Sequence, residues 1–349
     1  MSPRPCKRYD PRSFNTVRHS RRAERARRYR QGRVVLLAIF AVCALLILAG
    51  LLFLLLFGVH SCKAKKAAQE AANATPADTD TSNQDIRSAS SPDIQYTVVN
   101  RNSVEIHAGE LIVVNKDHAY EGNTESADQA GFTTISSTVC VDNDNNTIYR
   151  RVAGVSLRIE VLDALDRMLT KYHTLADDDR VQLYDAFRSY AAQAALSSST
   201  AAAPGYSDHH TGYLVALRSI DSTDSSLSDE QNGYLLDHGY EFGFVQRYPA
   251  GHSGSTFVNN YTNAYRYVGI PHATAMVKKG LCLEEYVEYL KENHKSDQPH
   301  LQVAGYEIYY VPASDGETTG IPVPADTDRY SYTISGDNIA GFIVTVKLP

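Results

Sequence analysis

Val34 to Val59 is a run of 26 residues without a charge, VVLLAIFAVCALLILAGLLFLLLFGV. A helix that crosses a bilayer core of about 30 Å needs roughly 20 apolar residues. A cleavable signal peptide has an apolar core of only about 7–15. The run is too long for a signal peptide, so it reads as an uncleaved transmembrane helix. Residues 1–33 fix its direction, because they carry twelve Lys and Arg against Asp10 and Glu24. Cations collect on the cytoplasmic side of a span. The tail is therefore expected in the cytoplasm, touching anionic headgroups, with all that follows residue 59 outside. The whole chain still has a net charge of −6. Its outer part must be strongly acidic, which argues against a nucleic-acid groove.

Residues 60–95 are rich in Ala, Ser, Thr, Asp and Gln. Such a segment cannot bury a core and reads as a flexible linker, with a reach on the order of 30 Å. A folded domain is expected over 96–297. Beyond it, residues 298–349 hold three β-rich runs, Tyr306–Val311, Tyr330–Ser335 and Phe342–Leu348, separated by Gly, Pro and Asp turns. They predict a small antiparallel extension. None of the five cysteines forms a CxxC pair, so no zinc ribbon or redox motif is available. Cys140 and Cys282 read as free buried thiols rather than a disulfide.

Within the domain, Glu110–Lys116 predicts a short strand. Helical spacing of Val161, Leu162, Leu165, Met168, Leu169 and Tyr172 predicts an amphipathic helix over 156–172. Val181–Phe187 predicts a strand that delivers Arg188 at a sheet edge. Ala191–Ala203 predicts a helix stopped by Pro204-Gly205. The stretch Pro204–Leu217, PGYSDHHTGYLVAL, then sets two adjacent histidines on a turn before an apolar strand. That is how a metal ligand is often presented, so the question is whether His209 has partners.

Five blocks follow one another along residues 110–290: Leu111–Lys116 (LIVVNK), Phe187–Tyr190 with Gln193 (FRSYxxQ), Pro204–Gly212 (PGYSDHHTG), Phe242–Pro249 (FGFVQRYP) and Tyr265–Gly269 (YRYVG). In these blocks the chain resembles the bacterial D-alanyl-D-alanine carboxypeptidases of the VanY type, a group of zinc peptidases. The resemblance implies an α+β fold, a small antiparallel sheet flanked by helices. It also implies a role in peptidoglycan metabolism, which the single-pass anchor read above would place outside the bacterial plasma membrane. In that family S-[ED]-H-x-x-G-x-x-x-D and a later E-P-W-H-x-R-Y-V-G supply His, Asp and His to zinc, with the Glu as general base. Carried over residue by residue, the first ligand is His209. The Asp position is Ala216, the second His position is Ala264 and the general-base position is Tyr261. Arg188 would bind a carboxylate or carbonyl of the peptide, with Gln193 and Ser207 lining the same pocket. Arg266 and Tyr267 match a fold-supporting strand.

A catalytic zinc takes three protein ligands and an open position, and lowers the pKa of its water to about 7. One imidazole cannot hold the ion, and a phenol with a pKa of about 10 is a poor base at neutral pH. His272 and Asp221 are weak substitutes, joined by His252, while His210 would point to the opposite face of a strand. The expectation is a pseudoenzyme without zinc that binds a peptidoglycan stem peptide or a cell-wall protein. Two alternatives stay open: an active zinc peptidase with rearranged ligands, and a structural protein-interaction module.

Overall fold

The computed structural model describes residues 86–91, 93–122, 124–125, 130–196, 201–259 and 261–349. The expected transmembrane helix at 34–59, the basic tail and most of the linker lie outside the described residues. Among the described residues, no helix is long and apolar enough to cross a membrane.

In chain order the first strands are β1 (Ile86–Ser88), β2 (Tyr96–Asn102), β3 (Phe132–Thr134), β4 (Val139–Val141), β5 (Thr147–Arg151) and β6 (Ser156–Arg158). Helix α1 (Ile159–Ala176), β7 (Val181–Asp185), α2 (Tyr190–Ala194), β8 (Leu214–Ser219) and α3 (Asp229–His238) follow. Then come β9 (Phe244–Gln246), α4 (Ser253–Thr256), β10 (Ala264–Tyr267), α5 (Ile270–Lys279) and α6 (Leu283–Asn293). The chain closes with β11 (Leu301–Val303), β12 (Tyr306–Pro312), β13 (Thr318–Pro324), β14 (Tyr332–Gly336) and β15 (Gly341–Lys347).

Two sheets organise these elements. The first has the order β4-β5-β7-β8-β10-β9, antiparallel except between β5 and β7. Helix α1 covers it because Val161, Ala164, Leu165, Met168, Leu169 and Tyr172 fall on one helical face and are buried. The second sheet has the order β1-β11-β12-β15-β14. Helices α5 and α6 pack on it: Ala273, Met276, Tyr286, Val287 and Leu290 share a core with Leu301, Ile308, Tyr310 and Ile343. Its other side buries Tyr309, Phe342, Val344 and Val346 against Ile321 and Val323 of the β2–β13 ribbon.

The mixed helix-and-sheet core agrees with the expected fold class, while several local expectations are corrected. Residues 110–116 form no strand apart from an isolated bridge between Asn115 and His118. Their carbonyls are taken by arginines instead: Arg266 Nη2 donates to Glu110 O at 2.9 Å and Ile112 O at 3.3 Å, and Arg247 Nη2 donates to Val114 O at 3.3 Å. The helix expected from 156 starts at Ile159, because β6 first pairs with β3. The helix expected over Ala191–Ala203 ends at Ala194. Gln193 Nε2 donates to Ala202 O at 2.7 Å, so the chain has already turned back there. Among the described residues, regular structure begins at β1, ahead of residue 96, because Ile86–Ser88 pairs with β11.

A buried ionic cluster ties the site to the scaffold. Asp208, Arg247 and Arg266 are each almost fully buried. The Asp208 carboxylate accepts from Arg247 Nε and from Arg266 Nη1. Arg266 Nη1 also donates to Thr211 Oγ1 at 3.0 Å. Arg247 continues to Glu284, at the start of α6, with bonds of 2.7 and 2.9 Å. Removing one member of a buried pair leaves an uncompensated charge, which costs about 3–5 kcal/mol. Asp208→Asn should therefore lower the unfolding free energy by about that amount, read from urea denaturation.

A second buried carboxylate predicts a pH effect. Glu307 accepts from Ser91 N–H at 2.9 Å, Tyr96 Oη at 3.0 Å, His300 Nδ1 at 2.6 Å and Gln302 Nε2 at 3.0 Å. Burial would push its pKa up, but these hydrogen bonds outweigh it and hold the group at about 2, below its ordinary 4.5. The resulting stability is fully present above pH 4.5 and is lost as pH falls through about 2. Thermal midpoints measured across that window should fall for the native chain and fall less for Glu307→Gln.

Candidate functional site

His209 sits on a single 3-10 turn, Asp208–Thr211, closed by Gly212. Gly212 has φ +72, and a Cβ there would meet the Phe132 ring at 2.5 Å, so this position requires glycine. The imidazole is buried. Burial pushes its pKa down against the pull of Asp185, so the ring is neutral at pH 7. Its Nδ1–H donates to Ala186 O at 2.5 Å, since a carbonyl can only accept. That leaves Nε2 as an acceptor, and the Tyr261 hydroxyl lies 3.0 Å away. Burial raises the Tyr261 pKa, so the phenol keeps its proton and donates it to Nε2. The two rings stack with centroids 6.1 Å apart. An Nδ1–H bond to a carbonyl is also what fixes a metal-binding histidine. Here the nitrogen it leaves for the ion is held by a phenol.

The positions expected for the other ligands lie side by side. Ala216 of β8 and Ala264 of β10 are direct cross-strand partners, and both are fully buried. Ala216 is also the register partner of Asp185 at the end of β7. Two of the three positions carried over from the family's ligands therefore adjoin, and both present methyl groups. Tyr261, at the general-base position, is a hydrogen-bond donor rather than a base. This donor set does not fit a catalytic zinc.

The substitutes do not gather around His209. His272 is buried in the second core, with Tyr286 Oη at 2.9 Å from Nδ1 and Thr345 Oγ1 at 2.8 Å from Nε2. Desolvation lowers its pKa to about 3. Asp221 lies on an exposed loop and pairs with Arg180 at 3.2 Å. His252 pairs with Glu285 at 2.8 Å. His210 is not on a strand. It belongs to the same 3-10 turn as His209, where Nδ1 bonds Arg188 O at 2.6 Å and Nε2 accepts Gly205 N–H at 3.0 Å.

The ligand-facing residues are better placed. Arg188 Nη2 pairs with Asp185, and Nη1 donates to Gln193 Oε1 at 2.6 Å. Arg188 and Asp185 help line a shallow groove with Gly154, Ser156 and Phe187. Gln193 is buried, and both ends of its amide are engaged, by Arg188 and by Ala202. It orients the guanidinium. Ser207 is buried at the start of the His209 turn. Next to it, Tyr206 lines a cleft of about 330 Å³ with Asn115, Lys116, Tyr248 and Phe257. Tyr248 stacks on Tyr261 with centroids 5.7 Å apart. A column of rings thus runs from the cleft through Tyr261 to His209.

Asp185 and Tyr248 escaped the sequence reading. Asp185 was signalled only by its place three residues before Arg188, and Tyr248 only by adjoining Arg247. Replacing Tyr261 tests the closure of the site. Tyr261→Phe leaves the buried Nε2 of His209 without a donor, which should lower stability by about 1–3 kcal/mol. Chemical denaturation at neutral pH measures this directly.

The profile of the family described as VanY: D-alanyl-D-alanine carboxypeptidase matches residues 154–270. The chain is 34% identical over 142 residues to a D-alanyl-D-alanine carboxypeptidase of Enterococcus faecium, covering 41% of this chain and 44% of that one. It is 40% identical over 113 residues to one of Enterococcus faecalis, covering 32% and 41%. The chain thus spans less than half the length of these curated relatives. In fold it is similar to the crystal structure of the vancomycin resistance D,D-dipeptidase VanXYg in complex with a D-Ala-D-Ala phosphinate analogue. That similarity has a TM-score of 0.58 at 24% identity, over 72% of this chain and 99% of that one. By the family match and the ordered blocks within it, residues 154–270 carry a VanY D-alanyl-D-alanine carboxypeptidase domain.

Proposed function

We propose that this chain is a pseudoenzyme of the family, a domain that binds peptidoglycan stem peptides without cleaving them. The observation that carries this reading is the Ala216–Ala264 pair beside a His209 whose Nε2 is bonded by Tyr261. Both enterococcal relatives are D-alanyl-D-alanine carboxypeptidases, which supports a peptide ending in D-alanine as ligand. Arg188 meets such a peptide as a planar donor suited to carboxylates or carbonyls, held in direction by Asp185 and Gln193. In a separate cleft, Lys116, Tyr206, Tyr248 and Phe257 offer a cationic and aromatic wall. The same reading takes residues 34–59 as a single-pass anchor, with the domain on the outer face of the bacterial plasma membrane. It rests there on the uncharged run and the basic tail.

The test uses the full chain, treated with chelator, and a peptide ending in D-Ala-D-Ala. Calorimetry should show binding by the chelator-treated chain, with no release of D-alanine whether or not zinc is added. Arg188→Ala should weaken that binding at least tenfold. Zinc-dependent release of D-alanine would replace this reading with a peptidase that has rearranged ligands. Absence of peptide binding would replace it with a protein-interaction module.

A further inference from the structure

A second group of donors lies apart from the His209 turn. His252 immediately precedes α4, Cys282 is the N-cap of α6, and Glu285 is the third residue of that helix. One imidazole nitrogen, the thiol sulfur and one carboxylate oxygen all lie within 4.8 Å of one another. His252 Nδ1 and Glu285 Oε2 are already 2.8 Å apart. On one tetrahedral zinc, with Zn–S near 2.3 Å and Zn–N and Zn–O near 2.0–2.2 Å, donor atoms sit roughly 3.5 Å apart. Small side-chain rotations bridge the difference.

We infer that His252, Cys282 and Glu285 form a metal site for a zinc-class divalent cation, which clips the 250–257 loop to the start of α6. The chemistry of the set matches the ion. A thiolate and a carboxylate neutralise a dication, the neutral imidazole adds a third ligand, and a fourth position is left for water. Capping alone does not account for the cysteine, because Ser, Thr, Asp and Asn are the side chains that cap helices well. The second oxygen of Glu285 accepts from Ser255 Oγ at 2.8 Å, which orients the carboxylate from outside the donor set. The side chains of His252 and Glu285 are 26% and 30% exposed, so an ion has a path in, while Cys282 forms the buried floor. Cys282 and Cys140 are both free thiols.

The clip has a consequence for the cleft. The loop it fixes continues into Thr256, Phe257 and Val258, which form one cleft wall. Glu284, next to the clip, holds Arg247. The site uses none of the positions that the family gives to its catalytic zinc, so it stands or falls apart from the pseudoenzyme reading.

The probe is cobalt(II), added to the full chain after chelation. One cobalt per chain should bind, with a thiolate-to-cobalt charge-transfer absorption, and zinc should displace it and raise the thermal midpoint. Cys282→Ser keeps a good N-cap and Glu285→Gln keeps the reciprocal cap. Both variants should fold, with Cys282→Ser losing the absorption and both binding cobalt at least tenfold more weakly. His209→Ala should titrate like the native chain. No charge-transfer band at saturating cobalt, or unchanged affinity in Cys282→Ser, would overturn the site. Loss of the bound ion in His209→Ala alone would overturn it too, by moving the metal to the other position.

Discussion

A carboxylate locked between two guanidiniums, with no exposure to water, is the constraint on which this architecture rests. Asp208 reaches Arg247 with one oxygen and Arg266 with the other. Buried charges are tolerated only when paired and fully hydrogen-bonded. The remaining guanidinium hydrogens meet that condition by reaching the carbonyls of Glu110, Ile112 and Val114, the Thr211 hydroxyl and Glu284. Five stretches distant in sequence are therefore held by one charge. His209 is the next residue after Asp208, so its position follows from the cluster rather than from any ligand of its own.

That separation explains how a site can keep its geometry while its chemistry changes. An Asp at 216 facing a His at 264 would be sustained by an ion between them. Without the ion, a buried carboxylate at 216 would carry a desolvation penalty of several kcal/mol. Two methyl groups across a β8–β10 pair carry none, and both are fully buried. A glutamate at 261 would face the same penalty, whereas a phenol meets His209 as a neutral donor. In a core that holds no ion, Ala216, Ala264 and Tyr261 carry no such penalty. His209 persists because Ala186 and Tyr261 satisfy both of its nitrogens.

Much of this was legible in the sequence wherever local pattern and tertiary contact agree. The periodic face of α1 and the strand after the His209 turn fall where they were read, and four of the five family blocks lie within the matched residues. Ala216, Tyr261 and Ala264 came from the family resemblance, by carrying its motifs over residue by residue. What escaped was long-range. The carbonyls of 110–114 bond to side chains more than 130 residues away, so a strand-like run forms no ladder. Strand β13, TTGIPVP, falls between the β-rich runs read from sequence and contains Pro322 and Pro324. It is nonetheless a strand, since it pairs only with β2 and an edge accepts proline. Sequence order also hid the grouping of His252 with Cys282 and Glu285, which a loop and a helix start bring together.

The C-terminal strands change meaning in this light. They lie beyond the matched family residues, 154–270, yet they are not packed as an ornament. The core that holds α5 and α6 is completed by Leu301, Ile308, Tyr310 and Ile343 of the second sheet. His272 of α5 reaches Thr345 of β15 across the same interface. Helix α6 in turn presents Glu284 to Arg247 and Glu285 to His252. The ionic cluster and the cleft wall thus both lean on a helix whose buried face is supplied by β11, β12 and β15. Stripping those strands would expose Tyr286, Val287 and Leu290, each now buried and worth roughly 1.5–3 kcal/mol of transfer free energy by side-chain type. The second sheet therefore supports α5 and α6, and through α6 the ionic cluster and the cleft wall.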